Sequence, residues 1–207
     1  MKDKKIVVAT CCNSNYAALK ETTSDNMEDY CEQNGYIFQQ RKVADYVKEP
    51  SWSKINYMLD ILESPIFYTH VLWMDTDSMF VDFSFKIETM LEQHPNADII
   101  TARDYYGICC SNILVCNTDW SRNFLKAVVF LGRTLKHSRF EQDSIKLLYA
   151  NYCEVPLHLE ASNDYVGHSM VMPVLNRPIA HYPNLPLNNR LKFINETRIQ
   201  NRKIIKE

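Results

Sequence analysis

Residues 71–80 read VLWMDTDSMF and place two aspartates, Asp75 and Asp77, directly after an apolar run. The unbroken apolar character of residues 70–74 predicts a strand that is buried on both faces and therefore central in its sheet. In an open α/β sheet, ligands bind beyond the carboxyl ends of the strands, and both carboxylates follow such an end. Side-chain alternation predicts that they point the same way, with Thr76 opposed. The pair therefore marks a candidate binding site.

The segments around this strand alternate between strand and helix patterns. Residues 4–12 read as a buried strand, 16–33 as a helix that ends at Gly35, and 36–43 as a second strand. This β-α-β order implies a mostly parallel sheet flanked by helices. Further helices are predicted at 52–64, 84–95, 120–132 (ended by Gly132) and 140–150, and further strands at 97–104, 111–119 and 153–160. After residue 160 the pattern is irregular.

Composition limits the classes of function. The chain has 207 residues, is 46% hydrophobic and carries a net charge of −2, so it has core enough for a single domain and no electrostatic case for nucleic acid. We find no signal peptide and no apolar stretch near the ~18 residues of a membrane span. Seven cysteines without a CxxC pair indicate reduced thiols and a cytoplasmic location. Basic residues near the C-terminus, beginning with Arg190, predict a solvated helix.

The two aspartates carry like charges close together, which a divalent cation would resolve. Carboxylate oxygens suit magnesium or manganese, whose other coordination positions are commonly filled by phosphates and water. The alternative is that both are polar residues at a strand exit. With only four glycines, the chain has no Gly-rich phosphate loop.

Two classes of enzyme place Asp-x-Asp after an apolar strand. Phosphatases of the haloacid-dehalogenase type need the motif on their first strand, whereas two strand patterns precede it here. Glycosyltransferases of the GT-A fold use the motif to hold a metal against a diphosphate. A non-catalytic module that binds sugar nucleotides is a third hypothesis.

Five segments between residues 50 and 184 follow one another in a specific order. They read PSWSKINYMLDIL, YTHVLWMDTDSMFVD, SNILVCNTDWSRNFL, FEQDSIKLL and PIAHYPN. Their order resembles glycosyltransferase family 34 (galactosyl, xylosyl and mannosyl transferases) and the sugar transferases of large algal (chlorella) viruses. The resemblance implies a single α/β GT-A (Rossmann-like) domain over 1–207, with a mixed, mostly parallel sheet flanked by helices. Within it we expect a nucleotide-sugar-binding half at 1–105, an acceptor-side half at 106–189 and a basic tail or helix at 190–207.

The resemblance also implies ligands. Manganese, with magnesium possible, is expected at Asp75, Asp77 and His181; His158 and His168 are weaker candidates for the histidine. A UDP-sugar is the expected donor and a glycan the acceptor, in a viral protein and with further catalytic domains possible in a longer parent chain. The residues expected at the donor are Thr10, Cys11, Cys12, Asn15, Tyr16, Lys54, Asp75, Asp104 and Asn112.

The resemblance, together with side-chain chemistry, implies individual roles. Tyr16 is expected to stack on uracil, Lys54 to meet a phosphate or the donor sugar, and Asp104 and Asn112 to contact sugar hydroxyls. Asp143, in the first turn of its helix, is the candidate general base if transfer inverts the anomeric centre. If transfer retains it, Asp143 is expected either to orient the sugar or to face the oxocarbenium-like centre. Each residue also has an ordinary structural explanation, and for Trp73 and Trp120 core packing is the prediction.

Overall fold

A computed structural model describes residues 4–43, 51–104, 107–134, 140–151, 157–160, 166–168 and 177–204. These residues form nine strands and six α-helices. The strands are β1 (Ile6–Cys12), β2 (Ile37–Lys42), β3 (His70–Met74), β4 (Ser78–Phe80), β5 (Ile99–Asp104), β6 (Gly107–Cys116), β7 (Leu157–Glu160), β8 (Val166–His168) and β9 (Ile179–His181). The helices are α1 (Ala17–Asn34), α2 (Ser51–Leu62), α3 (Ile87–Gln93), α4 (Asp119–Thr134), α5 (Phe140–Asn151) and α6 (Leu187–Ile204).

The main sheet has six strands in the order β2-β1-β3-β6-β5-β7. Strand β1 pairs in parallel with β2 and β3, and β5 pairs in parallel with β7. Strand β6 runs antiparallel to both of its neighbours, β3 and β5. Five strands therefore share one direction and β6 opposes them, which confirms a mixed, mostly parallel sheet with β3 at its centre.

The core lies on both faces of this sheet because successive side chains of β3 point to opposite sides. Val71 and Trp73 face α2, α4 and α5, whereas Leu72 and Met74 face α1 and α3. All four side chains are at most 1% exposed. The continuous apolar run was thus a correct signal of a strand covered on both faces.

A second, three-stranded sheet in the order β4-β9-β8 was not predicted. Residues after 160 were expected to be irregular, and each of these strands has only three residues, too few for a readable alternation. Antiparallel pairing of β4 with β9 sets Ser78 opposite His181. This register brings a residue from near position 180 beside the aspartate pair.

The C-terminal segment forms a helix, as predicted, but it is not solvated throughout. Ile194 of α6 packs with Leu19, Met79 and Tyr182 in a third apolar cluster. The hydroxyls of Tyr182 and Thr197 are hydrogen-bonded at 2.5 Å. These buried contacts fix α6 against α1 and the small sheet. No helix in the described part of the chain is both long and apolar enough for a membrane crossing.

Gly132 does not end α4, which continues to Thr134. A Cβ atom at position 132 would lie 1.9 Å from Cη2 of Trp52. Trp52 is the second residue of α2 and packs against the core cluster on that face. The glycine therefore allows the close approach of an indole ring, whereas Gly35, with φ 73°, ends α1 as predicted.

The close approach of the Trp52 ring to Gly132 predicts that the effect of a substitution at position 132 depends on Trp52. Gly132→Ala should lower the free energy of unfolding by about 1–2 kcal/mol, because overpacking costs more than the ~1 kcal/mol that alanine gains in a helix. In a Trp52→Ala background the same change should raise it by up to about 1 kcal/mol. Urea unfolding of the four proteins in this cycle measures the coupling. Equal effects in both backgrounds would contradict the contact.

Candidate active site

The aspartate pair lies in a turn, not on the strand. Strand β3 ends at Met74, and the Ser78 amide donates to the Asp75 carbonyl at 2.9 Å, which closes the turn. Thr76 Oγ1 donates to the Cys11 carbonyl at 2.8 Å. Residues 75–77 therefore do not alternate as a strand does, and the prediction that strand alternation sets their side-chain directions was wrong. A turn brings the side chains of Asp75 and Asp77 together all the same, and with His181 they offer ligand atoms within 4.8 Å of one another.

Asp77 is buried and has two basic partners. Its Oδ1 lies 3.2 Å from Nε2 of His181, and its Oδ2 accepts a bond from Nη1 of Arg190 at 2.9 Å. Burial alone would raise the pKa of Asp77, but His181 and Arg190 outweigh it and lower that pKa. Arg190 belongs to α6 and was not predicted as a site residue. An arginine in the first turn of a basic helix gave no local signal for this contact.

Asp75 is held by different groups. Its Oδ1 accepts bonds from the Trp73 indole nitrogen at 2.7 Å and from Lys54 Nζ at 2.9 Å. Burial raises the pKa of Asp75; Lys54 opposes this change and Asp77 adds to it. Trp73 packs in the core as predicted, and its N–H also orients the carboxylate.

Lys54 is the centre of a buried ionic cluster. Besides Asp75, its ammonium lies 3.1 Å from Oε1 of Glu141 and donates to the Cys110 carbonyl at 2.8 Å. Burial alone would lower the pKa of Lys54, but the two carboxylates raise it above the ordinary value. Three acceptors match the three hydrogens of an ammonium. A contact with a phosphate would require one of these bonds to break.

A cavity of about 230 Å³ opens above these groups. Six of the residues predicted at the donor or the metal line it: Cys11, Cys12, Tyr16, Lys54, Asp75 and Asp77. The lining also includes Asn13, Val43, Ser51, Trp73, Thr76, Glu141 and Arg190. The cavity lies where β1 and β3 end, at the edge where ligands of open α/β sheets bind.

Glu141 lines the cavity, whereas Asp143, the predicted base, does not. Residues two apart on a helix do not share a face, so α5 presents only one of them to this space. Glu141 and Asp143 both lie in the first turn of α5, and the sequence offered no means of choosing between them. The role of Asp143 stays a prediction.

Four other predicted residues that the structure describes, Thr10, Asn15, Asn112 and His181, are not among those that line the cavity. Thr10 is buried and its hydroxyl has no partner among the described residues; Asn15 is exposed. Asn112 is buried, and its amide nitrogen donates to Ser111 Oγ at 3.2 Å. Asp104 ends β5, but its side chain lies outside the described residues, as do those of His158 and His168.

The two thiols that line the site have raised pKa values. Burial, with the Asp75 charge, raises the pKa of Cys11 to about 12, and burial raises that of Cys12. The six cysteines that the structure describes are all free. Since the thiolate is the nucleophile and metal ligand, these residues serve as small apolar side chains in the lining.

The donor set fits a divalent cation. Two carboxylates and an imidazole are ligands that manganese accepts. The guanidinium of Arg190 shows that this position already attracts a cation to Asp77. The residues that would hold the ion are therefore Asp75, Asp77 and His181.

Comparison with known proteins agrees with this picture. The profile of the galactosyl transferase GMA12/MNN10 family matches residues 2–95. Xyloglucan 6-xylosyltransferase 1 of Arabidopsis thaliana is 27% identical over 115 residues, which cover 52% of this chain and 25% of that protein. The chain thus spans about a quarter of the length of this curated relative.

Solved structures share the fold at low sequence identity. A glycosyltransferase involved in glycosylation of the major capsid of PBCV-1 has a TM-score of 0.76 at 15% identity, with 93% of this chain and 99% of that chain covered. Galactosyltransferase LgtC, solved with donor and acceptor sugar analogs, has a TM-score of 0.60 at 12% identity, with 92% and 95% covered. GlyE of Streptococcus pneumoniae has a TM-score of 0.58 at 12% identity, with 99% and 64% covered.

The chain therefore has the GT-A fold of glycosyltransferases. The predicted resemblance to glycosyltransferase family 34 and to the viral transferases is confirmed.

The ionic cluster predicts the cost of removing its cation. Lys54→Met should lower the free energy of unfolding by about 3–5 kcal/mol, because it leaves the buried carboxylate of Glu141 and the partly buried carboxylate of Asp75 without a counter-charge. Adding Glu141→Gln should restore part of this loss. Urea unfolding at pH 7 measures both.

Lys126→Met is the matched control, since Lys126 pairs with Glu63 where both side chains are about half exposed. Its effect should stay within about 0.5 kcal/mol. Similar losses for Lys54→Met and Lys126→Met would show that the buried cluster does not stabilise the fold.

Proposed function

We propose that this chain is a glycosyltransferase that moves a sugar from a nucleoside diphosphate donor to a hydroxyl group of a glycan acceptor. The observation that carries the proposal is the convergence of Asp75, Asp77 and His181 beside the cavity, within a GT-A fold. UDP is our choice of nucleotide and manganese our choice of metal, with magnesium as the substitute. The six free thiols support a reducing, cytoplasmic setting. A viral origin stays a prediction.

The nucleoside is proposed to occupy the wall formed by the end of β1 and the segments beside it. Cys11, Cys12 and Val43 supply a mostly apolar surface, and Asn13 supplies an amide. Tyr16 is 39% exposed on the same cavity, so its ring is available for stacking on a base. The residues that line this wall favour a planar, partly polar group.

The diphosphate is proposed to lie over the turn of residues 75–78. When bound there, a divalent cation would act as a Lewis acid for the leaving diphosphate. The chain's own part is to fix the ligands before substrate arrives. Lys54 and Trp73 hold one oxygen of Asp75, and the β4–β9 pairing holds His181 next to Asp77. This preorganisation lowers the cost of assembling the site during the reaction.

Transfer breaks the bond between the anomeric carbon and phosphate oxygen and forms a bond to the acceptor oxygen, whose proton goes to a base. Glu141 is the poorer candidate for that base, because its carboxylate is paired with the buried ammonium of Lys54. Asp143 does not line the donor cavity, so it stays our proposed base for an inverting reaction in which the acceptor approaches from outside that cavity, and a residue that orients the sugar for a retaining one.

A screen of nucleotide sugars tests this function. The purified chain is mixed with Mn²⁺, glycan acceptors and UDP- or GDP-linked glucose, galactose, xylose, mannose or rhamnose, and release of UDP or GDP is followed. One donor should be turned over. Asp77→Asn should reduce its turnover at least about 100-fold because it removes a metal-ligand charge.

Asp29→Asn, which changes an exposed aspartate on α1, is the control and should leave turnover unchanged. Full activity of Asp77→Asn would remove the proposed metal role. Binding of UDP without release from any donor would favour a non-catalytic module, and a trapped phosphoenzyme would favour the phosphatase alternative.

A further inference from the structure

Arg190 occupies an unusual position for a residue of a basic C-terminal helix. Its Nη1 lies 2.9 Å from Oδ2 of Asp77, and the side chains of Arg190 and Asp77 are only 16% and 12% exposed. Its Nε donates to the Leu185 carbonyl at 2.8 Å. The guanidinium is therefore held at two points, one on its own chain segment and one on the candidate metal ligand.

The contact with Asp77 competes with a cation for the same carboxylate. Asp77 has one oxygen against His181 and the other against Arg190. A divalent ion at Asp75, Asp77 and His181 would draw on the same oxygens and repel the guanidinium at close range. The two positive groups therefore compete for the single negative charge of Asp77.

The surroundings of Arg190 also define where it can move. The helix itself is anchored by Ile194 and by the bond between Tyr182 and Thr197, so the side chain can leave Asp77 without undocking α6. Arg190 already lines the cavity, with its Cζ 5.9 Å from the centre of the Tyr16 ring. Release from Asp77 places a planar, doubly donating cation in the space proposed for the donor.

We propose that Arg190 is an exchangeable substitute for the metal ion. It neutralises Asp77 while no cation is bound, leaves when a divalent cation binds, and then pairs with the anionic part of the nucleotide in the cavity. Guanidinium groups suit this second task because they bind phosphate oxygens in a bidentate manner. This inference rests on the metal and nucleotide sites of the proposed function.

The exchange predicts opposite effects of one substitution on two ligands. Arg190→Gln removes a competitor of the metal, so Mn²⁺ alone should bind about tenfold more tightly than to the natural chain, in line with the loss of one charge-assisted hydrogen bond. The same variant lacks a partner for phosphate, so UDP at saturating Mn²⁺ should bind about tenfold more weakly. A residue with a merely structural role would weaken both or neither.

Titration calorimetry with Mn²⁺, and then with UDP in saturating Mn²⁺, measures both affinities without any need for turnover. Lys192→Gln is the matched control, because it removes a positive charge from an exposed position two residues away on α6. The affinities of this control for Mn²⁺ and for UDP should stay within about twofold of those of the natural chain. Thermal unfolding confirms that each variant is folded. If Arg190→Gln does not fold, Arg190→Lys should show the same directions with smaller changes.

Mn²⁺ affinity that is unchanged or lower in the Arg190 variant would overturn the exchange. Unchanged UDP affinity would overturn the second position of the guanidinium. Absence of Mn²⁺ binding to the natural chain would instead overturn the metal site of the proposed function, and the exchange with it. Failure of the donor screen alone, with the two opposite shifts observed, would leave the exchange supported and the transfer reaction contradicted.

Discussion

Two like charges at the end of a buried strand are the constraint on which the rest of the site depends. The fold buries Asp77 and partly buries Asp75, which raises the energy of both carboxylates unless opposite charges approach. Different elements meet this need for each aspartate. Helix α2 brings Lys54 to Asp75, whereas β9 and α6 bring His181 and Arg190 to Asp77. The two carboxylates are thus stabilised by separate groups although they share one turn.

This division has a functional consequence. Asp75 is held by a buried group, because its partner Lys54 is also paired with the buried Glu141. The Lys54 ammonium is fixed by three bonds, to Asp75, Glu141 and the Cys110 carbonyl. Asp77 is tied to elements near the C-terminus, through one imidazole and one guanidinium. If Asp75 and Asp77 are the metal ligands we propose, a rigid ligand lies beside one whose guanidinium partner can exchange, which suits a site that is assembled in advance and still admits a cation. The small three-stranded sheet makes this possible, because its register fixes His181.

The sequence predicted the main sheet well because its signals are local and strong. The run before Asp75 was apolar at every position, which identified β3 as central, and Gly35 marked the end of α1. The antiparallel direction of β6 and the existence of the three-residue strands could not be predicted, because strand direction and very short pairings depend on tertiary contacts. Gly132 was misread as a helix end because the reason for a glycine there is the Trp52 ring on another helix.

The candidate site was predicted only in part, because some of its residues carry local sequence signals and others do not. Asp75, Asp77, Lys54 and His181 lie in recognisable segments, and the structure brings them together. Glu141 and Arg190 were missed. Nothing in a helix first turn shows which acidic residue faces a cavity, and a terminal basic helix most often lies in solvent.

The proposed function requires a divalent cation between this carboxylate pair and His181. Anomalous diffraction at the manganese edge, from crystals grown with Mn²⁺ and UDP, would locate that cation. We expect one strong peak in contact with the Asp77 carboxylate and His181 Nε2, with UDP in the adjoining cavity and Arg190 turned away from Asp77. A peak elsewhere, or an intact contact between Arg190 and Asp77 with UDP bound, would contradict it.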